Sequence, residues 1–142
     1  MKCILYNGGY KYQLKHSYVV AIEIKPTAPV DLDYIALDSV GQLTIKKGYA
    51  WDGPSGPTID IKSFMRGSLI HDALYQLMRE ESLDNNTCRA IADKLLRVIC
   101  VEDGMWLPLA WWVYWCVRLF ADPAADPADK RPAEYAPKNC RQ

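Results

Sequence analysis

The chain has 142 residues, and its 17 Lys and Arg balance its 17 Asp and Glu, so the formal net charge is zero. Half of the residues are hydrophobic and 24% are charged, which excludes a wholly disordered or collagen-like chain and is typical of one globular domain with its own core. A non-specific nucleic-acid binder would carry a basic surplus, so no nucleic-acid partner is expected.

The N-terminal half predicts a small antiparallel sheet of about four or five strands. The candidate strands are short apolar or β-branched runs, which cover residues 3–6, 10–14, 18–24, 34–37 and 43–45. Gly8 and Gly9 separate the first two runs and predict that these two strands pair with each other. Residues 38–41 form a predicted turn between the last two.

Residues 48–60 (GYAWDGPSGPTID) are too rich in Gly and Pro for a helix or a central strand. Exposing both Tyr49 and Trp51 to water would be costly, which favours an ordered loop over a disordered linker. The loop places Asp52 and Ser55 near its tip.

The C-terminal half predicts three helices. Apolar residues recur with a helical period over residues 64–81, and a second helix runs from a cap at Asp84 or Asn85 to about residue 101. The third helix covers residues 107–120 and tolerates Pro108 in its first turn. We therefore expect an α+β fold in which a small antiparallel sheet packs with about three C-terminal helices.

The third helix lies in an aromatic run, MWLPLAWWVYWCVRLF, whose single charge is Arg118. A membrane-spanning helix needs about twenty apolar residues, so a buried or interfacial helix is preferred and no membrane span is expected. Residues 121–142 are rich in Ala and Pro and predict a flexible tail, which leaves residues 1–120 as the globular domain.

The five cysteines are widely spaced and odd in number, with no pair at the spacing of a zinc knuckle or redox motif. Residues 1–10 contain an apolar run too short for a signal peptide. Both observations favour free, buried thiols in a reducing compartment.

The first predicted helix has one polar side. At about 100° per residue, the residues on that side are Ser68, His71, Asp72, Tyr75 and Arg79. The opposite side is apolar and is free to pack on the sheet. The other histidine, His16, lies in a Lys-containing stretch and is expected to be solvated.

Asp93 has two interpretations. It is spaced four residues from both Arg89 and Arg97, which is typical of an ion-pair ladder on a solvated helix face. Alternatively, it converges with His71 and the loop at one polar site.

The functional interpretation joins the loop to the helices. Asp52, Asp72 and Asp93 would supply carboxylates and His71 a base or a metal ligand, so the candidate catalytic residues are His71, Asp72, Asp52 and Asp93. Ser55, Tyr75 and Trp51 are the candidate ligand-binding residues. Such a set could hold a divalent metal, although the sequence does not identify a cofactor.

A purely structural interpretation stays open. Asp52 could cap its own turn, His71 could be a core histidine bonded to a loop carbonyl, and Tyr75 could cover the loop. The cluster would then be a latch between loop and helix. Both accounts require the loop to fold back over the first helix.

Four segments carry a resemblance to a known family: residues 48–57, residues 66–75 (RGSLIHDALY), Ala92-Asp93 and residues 114–118. Together they resemble a bacteriophage and prophage domain, domain of unknown function 1353, over about residues 40–120. The resemblance implies a phage-encoded protein with a shared cluster at Asp52, Ser55, His71, Asp72, Tyr75 and Asp93. It also implies that the Trp-rich segment is the last helix of a soluble domain.

Two functions follow as expectations. The first is a small phage enzyme of the hydrolase class, with an Asp/His site that could be metal-assisted. The second is a non-enzymatic virion or tail component, or a protein that binds a host or ligand molecule through the Trp-rich helix. Either would act in the host cytoplasm or in the virion.

Overall fold

The computed structural model describes residues 4–6, 12–52, 62–121, 125–126 and 134–136. The elements in chain order are β1 (Ile4–Tyr6), β2 (Tyr12–Gln13), β3 (Tyr18–Ala21), β4 (Val30–Asp31), β5 (Ile35–Leu37), β6 (Gln42–Ile45), β7 (Ala50–Trp51), α1 (Lys62–Arg79), α2 (Asn85–Glu102), α3 (Leu107–Phe120) and β8 (Glu134–Ala136). Within the described residues, seven strands precede the three helices and β8 follows them, and the predicted α+β class is confirmed.

The largest sheet has the strand order β3-β6-β5-β4 and is antiparallel throughout. Every second residue of β5 and β6 points into the core, where Ile35 pairs with Ile45 and Leu37 with Leu43. All four side chains are completely buried. They form one hydrophobic cluster with the apolar side of α1, so the sheet and α1 hold each other in place.

The predicted turn between β5 and β6 is confirmed. The Asp38 carboxylate accepts hydrogen bonds from the backbone N–H groups of Val40 and Gln42, at 3.0 and 2.8 Å. Gly41 follows with a φ of +90°, a conformation that glycine adopts without steric strain.

Replacing Gly41 by alanine is expected to lower the free energy of unfolding by more than the same change at Gly104. Both glycines have a positive φ, but a Cβ at Gly41 would lie 2.4 Å from the carbonyl oxygen of Ile22, whereas one at Gly104 would meet nothing within 4 Å. The left-handed backbone alone costs about 1–2 kcal/mol, and we expect the Gly41→Ala variant to lose more than that in urea denaturation. Equal losses in the two variants would contradict the importance of the close contact at Gly41.

Helix boundaries follow local signals. Asp84 caps α2 by accepting a hydrogen bond from the backbone of Asn86, as predicted, and α3 has the predicted bounds. By contrast, α1 begins and ends two residues before the prediction. Its end is followed by Glu81, which has a φ of +60° and cannot continue a right-handed helix.

The predicted pairing across Gly8 and Gly9 is wrong. β1 pairs with β8 near the C-terminus, and β2 pairs with β7. β4, β7 and β8 were not predicted, and β7 lies in the segment that was predicted to be an ordered loop. The segment predicted to be a flexible tail thus contains a strand, and it also contains Ala125, which is buried in the main core. These pairings join residues far apart in sequence, which local turn signals do not reveal.

The cysteine and membrane predictions can be compared with the described residues. In that part of the chain Cys88, Cys100 and Cys116 are free thiols, and only Cys100 is fully buried. No helix described there is long and apolar enough to cross a bilayer. Cys3 and Cys140 lie outside the described residues.

Candidate functional site

A cavity of about 190 Å³ lies between α1, α3 and the residues of β7. All five residues predicted for the polar side of α1 line it: Ser68, His71, Asp72, Tyr75 and Arg79. The predicted grouping on one side of the helix is therefore confirmed. Ser68, His71 and Tyr75 are buried, whereas Asp72 and Arg79 are partly exposed.

β7 brings the start of the Gly/Pro-rich segment to this cavity. The Trp51 indole is buried and donates a hydrogen bond to the Ser68 hydroxyl, 3.2 Å away, on α1. Asp52 follows, is exposed and also lines the cavity. Trp51, Asp52 and His71 therefore border one space, as the predicted folding of this segment onto the first helix requires. Ser55 lies outside the described residues.

Asp93 lies behind His71 and is completely buried. One of its oxygens, Oδ1, is 2.7 Å from His71 Nε2 and accepts a hydrogen bond from the Tyr75 hydroxyl at 2.5 Å. The other, Oδ2, accepts one from Arg118 at 3.0 Å. A single carboxylate on α2 thus joins side chains of α1 and α3.

The solvated ion-pair ladder is the wrong interpretation of Asp93. Arg89 Nε is 3.9 Å from Asp93 Oδ2, but the aspartate has no exposure to water. Arg97 instead stacks on the ring of Trp111, with its guanidinium carbon 4.1 Å from the ring centroid. Spacing within α2 could not show that α1 and α3 would cover this side of the helix.

Two arginines complete the cluster and were not among the predicted site residues. Arg89 donates to the Tyr75 hydroxyl at 3.3 Å and to the carbonyl oxygens of Val117 and Arg118 at 2.8 and 2.6 Å. It therefore ties α2 to the last turn of α3. Arg118 could have been found as the only charge in an apolar helix, because a charge on such a helix requires a partner when it is buried.

His71 lies between two carboxylates. Its Nε2 contacts Asp93, and its Nδ1 is 3.8 Å from Asp72 Oδ1. Burial lowers the pKa of His71, but Asp72 and Asp93 raise it by more, so the pKa lies above its ordinary value of 6.5. The imidazole therefore keeps its proton to a higher pH than it would without these two carboxylates.

The groups around Asp93 shift its pKa in the opposite direction. Burial raises the pKa of this carboxyl, but donation from His71, Tyr75 and Arg118 lowers it by more, to below its ordinary value of 3.8. Burial, followed by the hydrogen bond to the Asp93 carboxylate, raises the pKa of the Tyr75 hydroxyl. At neutral pH the cluster therefore holds an ionised Asp93 and a neutral Tyr75.

These shifts predict a stability maximum in mildly acidic solution. Because the pKa of Asp93 is lowered on folding, its contribution is present above about pH 3.8 and is lost as the pH falls through the folded pKa. Because the pKa of His71 is raised, its contribution is complete below about pH 6.5 and is lost as the pH rises through the folded pKa. Urea midpoints measured across this range should decline on the alkaline side.

The two histidines provide the control for the alkaline decline. His71→Gln should abolish it, whereas His16→Gln should leave it unchanged because His16 is exposed. An alkaline decline that persists in the His71 variant would show that another group causes it.

A metal centre needs several ligands that converge. In the ranges of the chain described above, no group of three or more His, Cys, Asp and Glu side chains is arranged to hold a metal ion. The contacts of His71 with Asp72 and Asp93 are a geometry that suits proton transfer.

The chain matches no family model, no curated protein and no solved structure.

Proposed function

We propose that this protein is a small enzyme in which His71 acts as a general acid and base. Hydrolysis is the simplest reaction that such a site would catalyse. The observation that carries the proposal is the 2.7 Å contact between His71 Nε2 and the buried carboxylate of Asp93, beside a cavity. A buried carboxylate that orients an imidazole and stabilises its charged form is a recurring device for proton transfer.

The two ring nitrogens of His71 would have different tasks. Nε2 stays bonded to Asp93, which makes Asp93 a positioning residue. Nδ1 lies on the side of Asp72 and would exchange protons with a substrate. Since Asp72 is partly exposed and lines the cavity, its carboxylate is the proposed acceptor for a proton from water.

In a hydrolytic cycle on these residues, each proton that is taken up is also returned. Water adds to the electrophilic carbon or phosphorus of the substrate and transfers a proton to Asp72, while the bond to the leaving group breaks and His71 protonates that group. Asp72 then returns its proton to His71. Asp52, which lines the same cavity, would bind polar groups of the substrate, and the rings of Trp51 and Tyr75 would contact its apolar parts.

A substrate panel tests this proposal. Purified protein would be incubated with chromogenic carboxylic esters, phosphoesters, glycosides and peptide anilides, with and without a chelator. We expect turnover of one class and no loss on chelation, because no described residue group would hold a metal. If the folded protein turns over none of these classes, the hydrolytic proposal is contradicted; loss of turnover on chelation would replace it with a metal-assisted one.

The resemblance to the phage domain supports a phage or prophage origin, which stays a proposal. In that setting the protein would act in the host cytoplasm or in the virion. The presence of the gene among phage genes in several bacterial genomes would support the origin, and its regular occurrence away from them would contradict it.

A second candidate function is a non-enzymatic phage component or a protein that binds a host molecule. The exposure of Trp112 and Trp115 on α3, 56% and 53%, favours this candidate, because solvent-exposed tryptophans are enriched where proteins bind partners. The Asp93 cluster would then be only a latch between three helices. Detection of the protein in purified virions, together with no turnover in the panel, would favour it over the enzyme.

A further inference from the structure

Arg118 is the only charged residue of α3, and its side chain reaches into the cluster around His71. Its Nη1 donates to Oδ2 of the buried Asp93, 3.0 Å away. The side chain is still 28% exposed, so burial does not force the guanidinium onto this carboxylate. Replacing a whole buried ion pair by apolar residues often leaves a protein equally stable. Stability alone therefore does not account for a charge on this apolar helix.

The two oxygens of Asp93 have different neighbours. Oδ1 faces His71 Nε2 at 2.7 Å and also accepts from Tyr75. Among the described side chains, Arg118 is the one that donates a hydrogen bond to Oδ2, since Arg89 Nε is 3.9 Å from it. A carboxylate rotates easily about its Cβ–Cγ bond. Donors on both oxygens hold its plane, so that Oδ1 stays on His71.

The turn that carries Arg118 is itself held in place. The last four carbonyl oxygens of a helix have no partner within it, and Arg89 on α2 donates to two of those in α3, at Val117 and Arg118. The distances are 2.8 and 2.6 Å. Arg118 is therefore fixed both at its backbone and at its guanidinium.

His71 responds to charges from every element packed around it. Its two carboxylates, Asp72 and Asp93, stabilise the protonated imidazole. A cation on Asp93 acts in the opposite sense, because it offsets the charge of that carboxylate and repels a second positive charge. The titratable and charged side chains around His71 are Tyr49 and Asp52 at β7, Asp72, Tyr75 and Arg79 on α1, Arg89 and Asp93 on α2, and Cys116 and Arg118 on α3.

We propose that Arg118 is a positioning residue for His71: acting through Asp93, it orients the imidazole and keeps its proton available for transfer. An acid that binds its proton too firmly gives it up slowly to a leaving group. The catalytic meaning of this inference rests on the proposed function. The chain of contacts from Arg118 through Asp93 to His71 can nevertheless be tested without a substrate.

The test is an NMR titration of the two histidines in the full chain, in which the exposed His16 is the internal reference. Arg118→Met removes the charge and keeps an unbranched side chain. We expect His71 in this variant to titrate about one pH unit higher than in the wild type. Arg118→Lys keeps the charge and should restore most of the wild-type value.

Arg66→Met is the matched control. Arg66 has similar exposure, 33%, and is also paired with carboxylates, but with those of Glu102 and Asp103. Its removal should leave the titration of His71 unchanged. A folded Arg118→Met variant in which His71 titrates as in the wild type overturns the proposal, and so does an equal rise in the Arg66 variant.

A measurement on the wild-type chain keeps the proposal testable if the neutral variant fails to fold. The side-chain nitrogen resonances of Arg118 should shift with the same midpoint as His71, because both side chains bind Asp93. Resonances that stay constant through that midpoint overturn the proposal.

A substrate from the panel would add a second readout. The alkaline limb of the profile of kcat/KM against pH should move up in Arg118→Met by the same amount as the titration of His71, because the protonated imidazole is the acid. A limb that stays in place overturns the role of Arg118 in catalysis. Absence of turnover in the wild type would contradict the hydrolytic proposal, whereas the NMR titration would still decide the role of Arg118.

Discussion

Replacing Asp93 by asparagine is expected to lower the free energy of unfolding by about 3–5 kcal/mol, the usual effect of breaking a buried charged cluster on one side. Asparagine has nearly the same shape but only one acceptor oxygen. If that oxygen takes the place of Oδ1, the amide NH₂ faces Arg118; if the amide is turned round, the NH₂ faces His71 and Tyr75. In the first orientation the NH₂ meets the Arg118 donor, and in the second His71 and Tyr75 must change from donors to acceptors, so either one weakens the cluster in a completely buried position.

Denaturation by urea at about pH 6 would measure this loss, and Asp31→Asn is the matched control. Asp31 accepts a short bond from Lys46, at 2.6 Å, but its side chain is 78% exposed. Exposed ion pairs contribute less than about 1 kcal/mol, so this variant should be nearly as stable as the wild type. Similar losses of unfolding free energy in the two variants would show that burial does not make Asp93 more important for stability than an exposed aspartate.

Replacing His71 by glutamine is expected to lower kcat/KM by about 10²–10⁴-fold on any substrate class that the protein hydrolyses, the usual contribution of a general acid or base. Glutamine can still donate to Asp93 in place of His71 Nε2, but it cannot release or take up a proton. The free energy of unfolding should fall by only about 1–3 kcal/mol, because one hydrogen bond to a charged group is weakened.

The same variant separates the enzyme from the latch. Assays would be run at a temperature at which circular dichroism shows His71→Gln to be folded, with His16→Gln as the control at the other histidine. A folded variant that keeps full activity would exclude His71 as the acid or base. A variant that is strongly destabilised, in a protein without turnover of any substrate class, would support the latch.

Local signals predicted several parts of the structure well. The Asp38 turn, the Asp84 cap and the bounds of α3 all depend on residues within a few positions of one another, and their bonds form within one turn or one helix end. The polar side of α1 follows from helical geometry alone. For that reason His71, Asp72 and Tyr75 could be placed on one side of the helix before any tertiary contact was known.

The environment of Asp93 shows where such reasoning ends. Its spacing from Arg89 and Arg97 is that of a solvated ladder, and nothing in α2 reveals that α1 and α3 cover it. Arg118 is 25 residues from Asp93 and His71 is 22 residues from it. A long-range contact of this kind depends on how the helices pack, so the sequence could name the residues but not their partners.

The sequence by itself determined the α+β class, the order of an N-terminal sheet before three helices and the polar side of α1, because these follow from composition, period and capping within a few residues. Only the tertiary structure decided that β1 pairs with β8, that Asp93 is buried behind His71 and that the tryptophans of α3 face water. The physical reason is that the packing of elements distant in sequence decides which residues are buried. Burial in turn sets the pKa of each titratable group and the strength of each polar contact.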